Sequence, residues 1–376
     1  MSKARIVVLG TLAAVVAAGA WSGWRAWREW QLAPVVRAAV PAIPNLAAWP
    51  TEYAARVRLA TAAASRLEQP LQALGELACL YHANAFYREA LQVETRLHAL
   101  EPGNAQWSYY LADSCRNLGD PEAAQFYYER TLQLAPYYAP TRLKLADLLF
   151  KQGRNDEAFT HYERRLSLVP RDPYARLGLA RIALQRGDQT GALKHLEAIT
   201  RDNPDFPSAH NLLAEIYGHR GDTARADEER RLSGSTGELR EADDPWLSRM
   251  YAWSFDSYRL EVMGGRRLQA QQLQAVLPFY EKAVHLAPGD GSAYDALGNV
   301  YLLLLRPVDA QAAFEAGLAA APQTPALYVS LARALQTQKR MPEARQTLQR
   351  GLDVARRSGN AGAVDSFTQL LGQLPP

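Results

Sequence analysis

The apolar residues divide the chain into three stretches. From Ile6 to Trp24, nineteen residues run without a charge, IVVLGTLAAVVAAGAWSGW, behind Lys3 and Arg5. As a helix this run reaches about 28 Å, enough for a hydrocarbon core of about 30 Å, and it predicts a transmembrane helix over residues 6–24. Residues 31–50 then place prolines at 34, 41, 44 and 50. Proline lacks the amide hydrogen that a helix interior uses, so this stretch predicts a stiff, extended linker. From Thr51 the apolar residues recur at helical spacing. The segment TEYAARVRLATAAASRLEQ, Thr51 to Gln69, reads as an amphipathic helix, and no strand pattern of useful length follows.

Beyond residue 70 the pattern repeats. Pro102, Pro136, Pro170 and Pro204 are each 34 residues apart, and so are Pro288 and Pro322. With these prolines as position 32 of a 34-residue repeat, position 20 reads Ala90, Ala124, Ala158, Ala192, Ala226, Val276, Ala310 and Ala344. Position 7 reads Leu77, Leu111, Leu145, Leu179, Leu213, Met263, Leu297 and Leu331, and every residue at position 8 is Ala or Gly. Glycine holds position 15 in four consecutive repeats, Gly119, Gly153, Gly187 and Gly221, where a turn between two helices needs it. Helices in a hairpin approach closely only where side chains are small, so the small positions face each other and large neighbours fill the seams.

This arrangement of Leu, small residue, Gly, Ala, aromatic and Pro resembles the tetratricopeptide repeat family. The clearest copies are YAPTRLKLADLLFKQGRNDEAFTHYERRLSLVP, ending at Pro170, and DGSAYDALGNVYLLLLRPVDAQAAFEAGLAAAP, ending at Pro322. The resemblance runs from about Leu71 to Leu352. It implies an all-α, right-handed superhelical solenoid of helix pairs, about eight repeats with one interrupted, whose first helices line a concave groove for peptides or proteins. The groove positions carry over to Gln106, Tyr109, Asp113 and Arg116, to Leu143, Asp147 and Phe150, and to Tyr174, Leu177, Arg181 and Leu184. Later repeats contribute Asn211, Glu215, Asp295, Asn299 and Arg333. The Lys and Asn cluster with which some members grip a terminal carboxylate is missing. A groove mixing carboxylates, arginines and aromatics suits an internal segment instead.

The interruption lies between Pro204 and Pro288, where 84 residues amount to two repeats and 16 extra. GSTGELREADDP, residues 234 to 245, predicts an exposed loop closed by Asp244 as helix cap and Pro245 in the first turn. WLSRMYAWSFDSYRLEVM then predicts a helix longer than a standard first helix. Its aromatics either fill a junction between two half-solenoids or, through Trp246 and Trp253, anchor a partner. The expected organisation is a membrane segment over 1–30, a linker over 31–50, a capping helix with five repeats over 51–233, an insert over 234–256, and three repeats with a C-terminal capping helix over 257–376.

Composition and charge narrow the function. Apolar residues are 48% and charged residues 22% of the chain, which excludes a disordered or low-complexity protein. The net charge is +3, but Lys3, Arg5, Arg25, Arg28 and Arg37 against Glu29 place +4 in the first forty residues, leaving about −1 for the rest. A near-neutral body argues against nucleic acid as a partner. Trp21, Trp24, Trp27 and Trp30 interleave with Arg25 and Arg28, the composition the headgroup layer favours. An uncleaved anchor is the expectation; a signal peptide cleaved after Ala18-Gly19-Ala20 is the alternative. Basic residues flank both ends of the run almost equally, and short basic tails usually stay inside, which places the body outside the cytoplasm.

Nucleotide-binding, hydrolase, haem-attachment and zinc-protease motifs are all missing. His161 and His195 share position 23 of successive repeats, on the order of 8–10 Å or more apart, too far to share a metal, and read as surface residues. Cys79 and Cys115 read as buried thiols, with a disulfide between them as the other option. The expectation is therefore a non-enzymatic scaffold with no cofactor, metal or small-molecule substrate. It would sit in the inner membrane with a periplasmic body, as an assembly or adaptor factor for a protein or peptide partner. The alternative is a permanent subunit of an oligomeric membrane complex, held through its convex face and aromatic insert.

Overall fold

The computed structural model describes residues 31, 33–66, 69–234, 242–269 and 273–374. The expected anchor over residues 6–24 lies outside these. Among the described residues no helix is long and apolar enough to cross a membrane. The chain forms two compact bodies, Met1–Pro204 and Asp205–Pro376.

In the N-terminal body, α1 (Thr51–Arg66) precedes four helix pairs: α2 (Pro70–Ala83) with α3 (Tyr87–Leu100), α4 (Ala105–Leu118) with α5 (Pro121–Leu134), α6 (Ala139–Lys151) with α7 (Asn155–Leu168), and α8 (Pro173–Gln185) with α9 (Gln189–Asp202). The C-terminal body holds α10 (Pro207–His219) with α11 (Thr223–Ser233), a short α12 (Pro245–Tyr251), α13 (Ser257–Gln269) with α14 (Leu273–Leu286), α15 (Gly291–Leu303) with α16 (Pro307–Ala320), α17 (Pro325–Thr337) with α18 (Met341–Arg357), and a final α19 (Ala361–Gln373). Most first helices begin with proline in their first turn or with an aspartate or asparagine cap. Asp172 Oδ1 accepts from the Ala175 amide at 2.7 Å, and in the second helices α5, α9 and α11 Asp120, Asp188 and Asp222 cap the start in the same way.

The repeat columns form the core. All eight residues at position 20, from Ala90 to Ala344, have 0% exposure. Position 8 is equally closed, and at Gly298 even a methyl would collide with the Phe314 ring of the paired helix. The helices at the two ends of the repeats pack on their neighbours. Tyr53 and Val57 of α1 are fully buried and the Tyr53 hydroxyl donates to the Leu80 carbonyl at 3.2 Å; Phe367 of α19 buries its ring against Gly351 and Tyr328.

Position 15 takes the left-handed conformation wherever it is described. Gly119, Gly153, Gly187 and Gly221 have φ between 75° and 80°, and Ala85, Leu305 and Lys339 in the same register have φ of 63°, 58° and 62°. The hairpin geometry sets this backbone state, whichever residue occupies the position.

Two expectations need correction. The linker is no extended spacer: residues 33–39 are helical, Val36 and Ala39 are buried, and the Arg37 guanidinium donates to the Ser65 carbonyl at 3.4 Å. Trp49 packs on Tyr53 and Phe86 with centroids at 4.9 and 5.1 Å. The insert helix is also not continuous. Asp244 caps α12 as expected, but the chain breaks after Tyr251 and restarts when Asp256 accepts from the Arg259 amide at 3.1 Å. Burial of Phe255, with Lys282 Nζ 4.1 Å above its ring and donating to the Ala252 carbonyl, fixes the break.

Leu305 is 87% exposed, so its conformation brings no packing. A left-handed non-glycine costs about 1–2 kcal/mol, and glycine forfeits about 0.4–1 kcal/mol of that through a freer unfolded chain. Leu305→Gly is expected to stabilise the C-terminal body by about 0.5 kcal/mol, and Gly153→Ala to destabilise the N-terminal body by a similar amount. Urea unfolding of each variant beside the parent checks both signs; equal midpoints for all three proteins would remove the strain argument.

Candidate interaction surface on the first helices

In the N-terminal body the surface of the first helices rests on a buried ionic network. At position 24 of the second helices, Tyr128 and Tyr162 fill the seam, but the first repeat carries Glu94 there, with 0% exposure. Glu94 Oε1 lies 2.8 Å from His82 Nδ1, and Glu94 Oε2 accepts from the Ser114 hydroxyl at 2.8 Å. The other face of the imidazole meets Asp113, with Nε2 3.3 Å from Oδ2. His82, Asp113 and Ser114 are likewise fully buried.

Burial alone would push His82 down, but Glu94 and Asp113 outweigh it and hold the imidazolium up to about 9. Burial also works against the Asp113 carboxylate, yet Lys144, His82 and Arg116 together hold it well below the usual carboxylate range. Each buried charge here is compensated, which is the condition for tolerating it.

Asp113 carries the network to the surface. It accepts from Arg116 Nη2 at 2.8 Å and from Asn117 Nδ2 at 3.0 Å, and Lys144 Nζ lies 3.6 Å away. One repeat on, Tyr162 donates its hydroxyl to Asp147 Oδ1 at 2.6 Å. Lys144, Arg181 and Lys151 act on the same carboxylate, each favouring its charged form. Lysine, aspartate and arginine from α4, α6 and α8 thus form one electrostatic row.

The expected groove residues separate into two sets. Tyr109, Asp113, Leu143 and Leu177 are buried, contrary to their assignment as ligand contacts. Position 5 of these helices meets the next repeat: Tyr109 packs on Tyr128 and Tyr138 with centroids at 5.9 and 5.4 Å, and Asp113, at position 9, is buried by its contact with His82. Arg116, Asp147 and Arg181 are exposed; Gln106, Phe150, Tyr174 and Leu184 are half-buried around them. In the C-terminal body Asn211, Glu215 and Arg333 are exposed. There Asn299 Nδ2 donates to Asp295 Oδ2 at 3.0 Å and Arg333 donates to Asn299 Oδ1, joining three expected residues into a chain. Trp246, in the first turn of α12, and Trp253, just past its end, are half-buried.

Sequence reading missed His82, Glu94 and Ser114. A signal was available in the register: Glu94 interrupts the column that holds Tyr128, Tyr162, Tyr280 and Phe314. His161 and His195, expected on the surface, are half-buried, and burial lowers the pKa of both. Both cysteines are free thiols, Cys115 buried and Cys79 half-buried; burial pushes them up to about 11 and about 12. Among the described residues no group of three or more His, Cys, Asp or Glu side chains is placed to hold a metal ion.

The His82 pKa is raised above its unfolded value of about 6.5, so the stability it lends is complete below that pH and fades as pH climbs through about 9. Asp113 is depressed, so its contribution is present above about pH 4 and fades only in stronger acid. Hydrogen exchange across residues 70–118 is therefore expected to stay slow at pH 7 and to accelerate, relative to the α6–α9 region, near pH 10. In His82→Gln that pH-dependent difference disappears and protection is already reduced at pH 7; a variant as protected as the parent at both values would show the network to be energetically idle.

Family models for the tetratricopeptide repeat match residues 116–160, 149–216 and 304–364, and a second tetratricopeptide-repeat model matches residues 207–231. No curated protein matches the chain. Among solved structures, the chain is similar to a tetratricopeptide repeat protein from Parabacteroides merdae at 14% identity, covering 72% of this chain and 99% of that one, with a TM-score of 0.33. It is also similar to the C-terminal part of a repeat protein from Cytophaga hutchinsonii at 18% identity, covering 68% and 98%, with a TM-score of 0.39. A third, a thermophilic protein of this kind from Thermus thermophilus, shares 23% identity over 62% of this chain and 98% of its own, with a TM-score of 0.25. The matched models agree with the 34-residue register and its buried columns over residues 116–231 and 304–364, where the chain is similar to tetratricopeptide repeats.

Proposed function

We propose that this protein is a scaffold that holds an extended internal segment of a protein partner along the first-helix faces, tethered to a membrane by residues 6–24. The observation that carries the reading is the row formed by Lys144, Asp147 and Arg181, with Phe150, Tyr174 and Leu184 half-buried beside it. Fixed charges of both signs next to partly exposed apolar rings select a segment bearing both kinds of side chain, and the buried Asp113 network keeps Arg116 and Lys144 from collapsing onto other partners. In the C-terminal body, Asn211, Glu215, Asp295, Asn299 and Arg333 offer polar groups to the same kind of ligand.

The uncharged run and its tryptophan and arginine girdle support an uncleaved anchor in a bacterial inner membrane, with the body in the periplasm. An assembly or adaptor role in the envelope follows from that placement and from repeats suited to protein–protein interaction.

A photo-crosslinking residue in place of Tyr174 is expected to capture a discrete partner in intact cells, whereas one in place of the exposed Arg357 is not. Arg181→Glu should reduce that capture at least tenfold without shifting the thermal midpoint, since Arg181 is exposed and contributes little to packing. Equal capture by the Arg181→Glu protein would overturn the assignment of the surface. Extraction of the full chain by alkaline carbonate would separately overturn the anchor.

A further inference from the structure

Two consecutive repeats of the N-terminal body carry the same pair of residues, arginine at position 4 and histidine at position 23: Arg142 with His161, and Arg176 with His195. Both arginines donate Nη2 to the carbonyl of the preceding repeat's proline, Pro136 at 3.1 Å and Pro170 at 3.0 Å. Their other donors differ. Arg176 Nη1 donates to Asp202 Oδ2 at 3.0 Å and to the Ala198 carbonyl at 3.2 Å. One repeat earlier the position of Asp202 is occupied by Leu168, and Arg142 Nε is buried with no hydrogen-bond partner. His161 Nδ1 is also buried and unpartnered. Neither Arg142 nor Arg164 has an ion-pair partner among the described residues.

We propose that Arg142, His161 and Arg164 form a carboxylate-binding site for an acidic side chain of a protein partner, distinct from the row of Lys144, Asp147 and Arg181. The chain supplies its own template: Asp202 at Arg176 shows what a carboxylate does in this register, and Leu168 leaves that role open at Arg142. The electrostatics agree. Burial lowers Arg142, and Arg164 lowers it further; burial and Arg142 likewise lower His161. The acids that act on His161 are Glu129 and Glu157, and they do not reverse the sign. Glu157 is bound to Arg154 at 2.6 and 2.7 Å, and Glu129 accepts from Gln125 at 2.7 Å. A half-buried guanidinium crowded by a second one is stabilised by an incoming anion and by little else nearby.

A peptide suits the surroundings better than a free ion. The next register holds a cleft of about 670 Å³ whose lining includes Lys194, His195 and Arg201 against the single acid Glu197. It can take the residues that flank the bound carboxylate in an extended segment. An anion at Arg142 raises the pKa of His161, so binding takes up a proton and tightens as pH falls from 7.5 toward 5.5.

Fluorescence anisotropy of a labelled hexaglutamate peptide with the detergent-solubilised full chain tests the site. The parent is expected to bind, and more tightly at pH 6 than at pH 7.5; Arg142→Gln weakens binding at least tenfold, and His161→Gln abolishes the pH effect. Leu168→Asp, which rebuilds the Asp202 arrangement, should occlude the site equally while leaving the thermal midpoint unchanged or higher, so loss of binding there is not loss of fold. No binding by the parent, or unchanged affinity in both Arg142→Gln and Leu168→Asp, overturns the proposal. Displacement of the peptide by millimolar inorganic phosphate, with phosphate binding that itself depends on Arg142, would assign the site to a free anion instead.

Discussion

Close approach of the two helices in each pair is the constraint on which the rest of this structure depends. It is made possible by alanine or glycine at position 8 of the first helix and by alanine, or once Val276, at position 20 of the second. Once those backbones are close, the large residues beside them, such as Phe314 against Gly298 or Tyr280 against Gly264, have nowhere to go except across the seam. The same closeness dictates the turn. Two helices joined by so few residues reverse only through a left-handed residue, and the chain adopts that state even at Ala85, Leu305 and Lys339, where it is strained.

The first pair departs from this scheme in a way that shapes the surface above it. Glu94 takes the place of an aromatic ring and brings a charge into the seam, which is tolerable only because His82, Ser114 and Asp113 close around it. Asp113, compensated on its buried side, then holds Arg116 and Lys144 at the surface. Packing chemistry and surface charge are here a single arrangement: the ion that fills the seam of one repeat sets the cations offered by the next two.

The exposed surface divides by chemistry. Along the first helices, acids and bases are paired with each other and with half-buried rings, so this face is pre-organised and electrically balanced. At the start of α6 and on α7, Arg142 and Arg164 have no ion-pair partner among the described residues, one repeat before Asp202 supplies one to Arg176.

Much of the fold was legible in the residues. The 34-residue spacing of prolines, the small columns and the glycine turns marked the helix pairs, and Asp244 with Pro245 marked the start of α12. These are local signals: capping, turn geometry and helical periodicity act within a few residues. The linker and the insert were misread for the complementary reason. Pro34 and Pro41 say nothing of Val36 finding a buried site, and the run from Trp246 to Met263 does not announce that Phe255 will be buried with Lys282 over its ring. The site residues show the same division. Periodicity placed Asp113, Asp147 and Arg181 in one column, but only the packed structure decided that Asp113 lies buried between His82 and Arg116, while Arg181 reaches solvent. Burial and ion pairing depend on side chains of other helices, such as Glu94 and Asp113 about His82, which a repeat register aligns but does not bring into contact.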